Sequence, residues 1–142
     1  MPAANRISTE DRAFLVRFSD RSLPEAEFHH AEHVRLAWIL LAEAPLMAAL
    51  LQFRALLKAY AAHIGAAGIY NETITCFYLL LIRERMEAMN PCHGWEQFRS
   101  ANPELFGYPK ALLERYYPGG LAFSAQAKAA FLLPEPPAAE AA

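Results

Sequence analysis

Residues 76–82 read Cys-Phe-Tyr-Leu-Leu-Leu-Ile, a stretch that is apolar around the whole circumference of a helix. A helix with no polar face is typical of the centre of a bundle, where neighbouring helices cover most of its sides. We expect this helix to begin at about Asn71 or Glu72 and to end at Met89. The rest of the chain should therefore pack around it.

Outward from this helix, apolar residues recur at helical spacing, and no segment shows the two-residue period of a strand. The first predicted helix begins at Ser8-Thr9. Five more are expected at about 29–44, 45–63, 95–101, 110–116 and 124–131. The fold class is therefore all-α, a single-domain compact bundle of about five to seven helices. We place this domain at residues 1–133 and a flexible tail, which lacks an apolar pattern, at 134–142.

Composition and charge exclude several classes of protein. Apolar residues make up 55% of the 142 residues and charged residues 20%, which favours a folded domain with a substantial core over disorder. The net charge is −2 with both signs mixed, so the sequence has no basic footprint for nucleic acid. The apolar stretch from Val34 to Leu57 is interrupted by Glu43 and Pro45, which predicts two soluble helices and no membrane span.

The cellular compartment is predicted from two further features. Two cysteines are too few for a disulfide framework, which favours a reducing environment. The N-terminal residues contain no apolar signal core, so export through a cleaved signal is not expected. A cytoplasmic location is the resulting expectation.

A cluster of histidines marks the predicted functional site. Three of the five histidines lie at the start of the second helix. Short connections favour antiparallel packing of the second, third and fourth helices, so the starts of the second and fourth helices and the end of the third should meet at one end of the bundle. The polar residues expected there are His29, His30, His33, His63, Tyr70, Asn71 and Glu72.

The leading hypothesis for this site is metal binding. Two imidazoles on one helix face and a carboxylate from another helix form a suitable ligand set for zinc, iron, manganese or nickel. The candidate ligands are His30, His33 and Glu72, with His63 or Glu32 as a further ligand or supporting partner. Three protein ligands leave a position for water, which suits hydrolytic or Lewis-acid chemistry. The chain is thus expected to bind one divalent transition metal and a small molecule, and whether it is an enzyme stays open.

Two alternatives remain at this point. Two adjacent helix N-termini with histidine donors form a cradle for a small anionic ligand, and in such a metal-free pocket His33 would be a general base oriented by Glu72. The candidate ligand contacts around that pair are His63, Tyr70, Asn71 and Thr75. In the second alternative the histidines are architectural and the chain is a non-catalytic interaction protein with an exposed apolar patch. Homodimerisation through an apolar helix face is compatible with the sequence, which does not specify it.

Two motifs carry a resemblance to a known family. The segment Phe28-His29-His30-Ala31-Glu32-His33-Val34 is similar to the F/W-x-H-x-x-H-L/V motif of a family of small uncharacterised bacterial all-α proteins. Residues 70–75, Tyr-Asn-Glu-Thr-Ile-Thr, resemble the Y-H-E-T-x-T motif of the same family, and the resemblance extends over about 14–134. It implies that His30 and His33, rather than His29, are the site residues. Asn71 replaces the family histidine, which implies weak or absent metal binding if that histidine is a required ligand, and a substitute hydrogen bond if it is not.

Overall fold

The computed structural model describes residues 7–89, 94–107 and 109–135, and within these ranges it contains helices and no strand. The α-helices are α1 (Thr9–Ser19), α2 (His30–Glu43), α3 (Leu46–His63), α4 (Glu72–Ala88), α5 (Trp95–Ala101), α6 (Pro109–Tyr116) and α7 (Ala125–Ala129). Short 3-10 helices lie at Glu25–Glu27, Ala67–Ile69, Pro103–Phe106 and Pro118–Phe123. The prediction of an all-α bundle is confirmed. In the described ranges, no helix combines the length and the apolar character needed to cross a membrane.

Local signals in the sequence set the ends of the helices. Ser8 and Asp11 bond each other reciprocally at the start of α1, since each side chain accepts a hydrogen bond from the other residue's backbone N–H. Pro45 directly precedes α3, and the Asn71 side chain accepts a hydrogen bond from the amide of Ile74 in the first turn of α4, at 2.9 Å. These signals depend only on residues close in the sequence, so they can be recognised without knowledge of the fold. The predicted ends of α2, α3 and α4 are accordingly correct to within about a residue.

Two helices share the centre of the bundle. α4 packs against α2, α3 and α7, and Leu79 and Ile82 on it are fully buried, as its apolar sequence predicts. Leu80, however, is 39% exposed, so the helix is not covered on every side. α2 is buried at least as deeply, because residues 36–40 are buried in succession around the fully buried Trp38. The sequence therefore identifies one central helix where the structure has two.

The C-terminal segment of the described chain is tied to α4 and α6. The buried hydroxyl of Thr73 donates to the carbonyl of Ala130 and accepts from the amide of Leu132, both at 3.0 Å. The hydroxyl of Tyr117 donates to the carbonyl of Leu132 at 2.7 Å. This extended segment explains why α7 ends at Ala129 and not, as predicted, near Phe131: Ala130 is already extended, with φ −149° and ψ 150°.

The predicted tail at 134–142 lies mostly outside the described residues. Glu135 is the last residue described, and its amide donates to the carbonyl of Tyr116 at 2.9 Å. Residues 134–135 are therefore part of the tied segment, and 136–142 lie beyond the described range.

Candidate functional site

A cavity of about 550 Å³ lies between the start of α2, the end of α3 and the start of α4. This is the end of the bundle where the antiparallel arrangement places the polar motifs. Apolar side chains form most of its wall, among them Phe28, Phe53, Leu57, Ile64, Ile74 and Leu113. Cavities that bind small molecules typically measure about 300–1,000 Å³ and have mainly apolar walls with a few polar groups. This cavity fits that description in both size and lining.

His33 lines the cavity, and only one of its two ring nitrogens is hydrogen-bonded within the described residues. Its Nδ1 donates to the backbone carbonyl of His29 at 3.2 Å, and its ring packs against the ring of Phe28 with centroids 4.0 Å apart. Because the partner of Nδ1 is a carbonyl, Nδ1 carries the proton, and Nε2 of the neutral ring keeps its lone pair. Burial lowers the pKa of His33 to about 4, since the charged ring would lose its water. His33 is thus a neutral hydrogen-bond acceptor at pH 7.

His30 has the complementary arrangement. Its Nε2 donates to the carbonyl of Leu105 at 2.8 Å, so Nδ1 holds the lone pair of the neutral ring. Burial lowers the pKa of His30, and the bond to the carbonyl opposes this only in part. Its ring lies edge-on to the ring of Tyr78, with centroids 5.1 Å apart. A contact with residue 105, in the 3-10 helix that follows α5, therefore sets the orientation of this histidine.

Tyr78 lines the cavity, but its hydroxyl oxygen is almost completely inaccessible and has no hydrogen-bond partner among the described residues. Burial raises the pKa of Tyr78 to about 12, so the group is a neutral hydroxyl. Leaving such a group unsatisfied costs about 1–3 kcal/mol. Tyr60 also lines the cavity, but its hydroxyl donates to the carbonyl of Leu23 at 2.7 Å. The hydroxyl of Tyr60 is therefore hydrogen-bonded within the protein, whereas that of Tyr78 has no partner among the described residues.

Glu72 does not interact with the histidines. One of its oxygens accepts from Nε of Arg54 and the other from the hydroxyl of Tyr70, each at 2.8 Å. Burial and the bond to Glu72 raise the pKa of Tyr70. The predicted acid–base pair of His33 and Glu72 is therefore not formed, because Glu72 bonds Arg54 and Tyr70 and the His29 carbonyl orients His33 instead.

The predicted metal ligands His30, His33 and Glu72 are likewise not assembled into one group. In the described part of the chain, no set of three or more His, Cys, Asp or Glu side chains is placed to hold a metal ion. His30 and His33 each donate a hydrogen bond from one ring nitrogen to a backbone carbonyl. The side chain of Glu32 accepts a hydrogen bond from the backbone amide of His29 at 2.8 Å, at the start of α2. Metal binding stays a prediction from the sequence, and the described geometry does not support it.

The other predicted site residues divide between cavity and scaffold. His63 and His29 are exposed and do not line the cavity, whereas the buried Thr75 does. Asn71 lines it too, but its side chain is already bonded: the oxygen caps α4 and the nitrogen donates to the carbonyl of Ala122 at 2.8 Å. Its contribution is therefore structural, through the cap and the link to residue 122.

Sequence reasoning missed Tyr78 because it lies in the all-apolar middle of α4. The signal that could have found it is spacing. Asn71, Thr75 and Tyr78 recur at intervals of four and three residues, which places them on one helix face, and all three line the cavity.

A scan against protein-family models, a search of curated proteins and a search of solved structures each found no match to the chain. The resemblance to the bacterial family therefore stays a prediction.

Proposed function

We propose that this protein binds one small, mainly apolar organic molecule in the cavity between α2, α3 and α4. The observation that carries the proposal is the cavity of about 550 Å³, with apolar walls and a few polar groups. Mainly apolar clefts of this size are few on a protein, and small molecules bind in them. A space of this size at the meeting point of three helices is what a ligand site requires.

The volume sets the scale of the ligand. At about 30 Å³ for each water-sized group, the cavity holds on the order of 15–20 non-hydrogen atoms. Its walls would provide most of the affinity through burial of apolar surface. His30 and His33 supply polar atoms that can fix the orientation of the ligand.

Binding is favoured over catalysis by the state of His33. A general base works best when its pKa lies near the working pH. Burial lowers the pKa of His33 to about 4, and the charge of the nearby Glu32 opposes this only in part. The ring therefore suits the role of a hydrogen-bond acceptor better than that of a base.

The interaction-protein and homodimer alternatives stay predictions. Exposed apolar side chains on α3 include Met47 and Leu51, which lie one helical turn apart and are 65% and 60% exposed. Nothing in the structure shows what covers them. The cavity is the feature with a defined occupant size and chemistry, and for that reason the proposal rests on it.

The test uses N-phenyl-1-naphthylamine, a neutral apolar probe whose fluorescence rises in an apolar site. Titration should show a saturable rise with one probe per chain. Ala61→Phe, which places a ring at a lining position, should weaken binding about tenfold or more. Ala62→Phe is the matched control, because Ala62 is exposed and does not line the cavity, and it should bind as the wild type does.

Thermal unfolding of both variants would confirm that each is folded. A lack of saturable binding by the wild type would contradict the proposal. So would an equal loss of affinity in Ala61→Phe and Ala62→Phe.

A further inference from the structure

We propose that the ligand is an alcohol or phenol on an apolar body, whose hydroxyl donates a hydrogen bond to a free imidazole nitrogen of His30 or His33. The inference rests on the proposed function, because it names the chemical class of molecule that the same cavity takes. A neutral alcohol or phenol also differs in charge from the small anionic ligand that the sequence suggests as an alternative to a metal.

The hydrogen-bond roles of the two histidines follow from their partners. A carbonyl cannot donate, so the nitrogen that meets it must be the N–H: Nε2 in His30 and Nδ1 in His33. Nδ1 of His30 and Nε2 of His33 are then acceptors. Neither acceptor has a partner among the described residues. The cavity therefore presents two acceptors that call for a donor from the ligand.

Protonation of these rings, which would make the site suitable for an anion, is opposed by the surroundings. The ring of His33 packs against Phe28, and the nearby His30 disfavours a second charge. Glu72, the carboxylate expected to stabilise a cation here, is bonded to Arg54 and Tyr70. A carboxylate ligand would thus face two lone pairs and be repelled by them.

Charged groups at the lining do not change this conclusion. Glu25 and Lys110 line the cavity and are exposed. The ammonium of Lys110 lies 5.8 Å from the ring centre of Phe123, itself 53% exposed. An anion that paired with Lys110 would have its charge at the solvent side and not against the histidines, and a Lys110 variant distinguishes that case.

Tyr78 favours a hydroxyl over other donors. Its buried hydroxyl has no partner among the described residues and lies on a ring edge-on to His30. A hydroxyl both donates and accepts, so a ligand hydroxyl can donate to an imidazole nitrogen and, after a small shift of the Tyr78 side chain that uncovers its buried oxygen, accept from Tyr78. An ether accepts only, and a hydrocarbon does neither. The polar atoms of the cavity are matched most fully by an alcohol or a phenol.

The experiment compares four probes on one ring system: 2-naphthol, 2-methoxynaphthalene, naphthalene and 2-naphthoate. Their affinities are measured at pH 7 by displacement of N-phenyl-1-naphthylamine from the full chain. We expect 2-naphthol to bind about tenfold more tightly than the ether and the hydrocarbon, and the carboxylate to bind most weakly.

Variants assign the preference to particular atoms. Tyr78→Phe and His33→Leu should each reduce the advantage of 2-naphthol over 2-methoxynaphthalene to about threefold or less. Tyr78→Phe removes a single oxygen and keeps the ring, so it tests the inference even if His33→Leu folds poorly. His63→Ala is the control, because His63 is exposed and outside the cavity, and the advantage should be unchanged.

Each result separates this inference from the proposed function. Equal affinities for all four probes would overturn the hydroxyl class and leave the apolar site intact. Tightest binding of 2-naphthoate, lost in Lys110→Met, would overturn it in favour of an anion held at the solvent side. Failure of all four probes and of N-phenyl-1-naphthylamine would contradict the proposed function itself.

Discussion

The starts of α2 and α4 carry similar polar motifs, lie at the same end of the bundle and serve different purposes. At the start of α4, the side chains of Asn71, Glu72 and Thr73 are bonded to other parts of the protein. At the start of α2, His30 and His33 each keep one nitrogen free at the cavity. The α4 motif holds the scaffold together, and the α2 motif provides the polar side of the candidate site.

Polarity near a cavity does not by itself define a binding group. A side chain can contact a ligand through its polar atoms only where those atoms are not already satisfied within the protein. Asn71 lines the cavity with both amide atoms bonded, whereas Tyr78, in the apolar middle of α4, has a hydroxyl without a partner among the described residues. Whether a side chain's polar atoms are already hydrogen-bonded within the protein therefore distinguishes the two motifs better than the type of residue does.

The largest effect expected from this contrast is on stability, at Asn71. Asn71→Ala removes the cap of α4 and the bond to the carbonyl of Ala122, which should lower the free energy of unfolding by about 2–3 kcal/mol. Urea denaturation measures this loss. His63→Ala, at an exposed residue with no role in the scaffold, should change it by less than about 0.5 kcal/mol. A loss below about 1 kcal/mol for Asn71→Ala would contradict a structural role for the α4 motif.

A pH dependence of stability should arise on the α2 side. Burial lowers the pKa of His33 from 6.5 to about 4, so between these values the unfolded chain binds more protons than the folded one, and stability falls as the pH falls. After allowance for its partial exposure, we expect His33 to account for a loss of about 1–2 kcal/mol across that window. His33→Gln cannot titrate and should lose correspondingly less. Parallel losses in the two proteins, measured by urea denaturation at pH 7 and pH 4.5, would show that His33 is not a buried neutral group.

The smallest expected effect is a difference in stability between variants of two buried tyrosines, Tyr60 and Tyr78, that both line the cavity. Tyr60→Phe removes a hydroxyl bonded to the carbonyl of Leu23 and should cost about 1 kcal/mol. Tyr78→Phe removes a hydroxyl with no partner among the described residues and should raise the free energy of unfolding by up to about 1 kcal/mol, because the small space left by the oxygen offsets part of the recovered desolvation cost. Equal destabilisation of the two variants in urea would mean that the Tyr78 hydroxyl is satisfied in the free protein.

The sequence was sufficient for the fold because the signals for it are local. Pro45 before α3 and Asn71 before α4 mark helix starts through backbone geometry and capping, and short connections bring the starts of α2 and α4 together. These features depend on neighbours along the chain. The bounds of α2, α3 and α4 and the meeting of their ends could therefore be predicted.

The chemistry of the site could not be predicted, because it depends on contacts between distant residues. Arg54 binds Glu72 from 18 positions away, and the carbonyl that orients His30 is 75 positions along the chain. A list of residue types does not show that Glu72 is already paired or which nitrogen of a histidine carries the proton. Those two facts change the prediction from a metal or anion site to a site for a hydrogen-bond donor.

The most direct test of the account is a long-range ¹H–¹⁵N NMR spectrum of the histidine side chains at pH 7, recorded with and without 2-naphthol. We predict neutral rings, with the proton on Nε2 in His30 and on Nδ1 in His33, and a ligand-induced shift of the unprotonated nitrogen of at least one of them. The side-chain amide of Asn71, which is bonded within the protein, should shift much less. Charged imidazolium rings, or the opposite tautomers, would contradict the account.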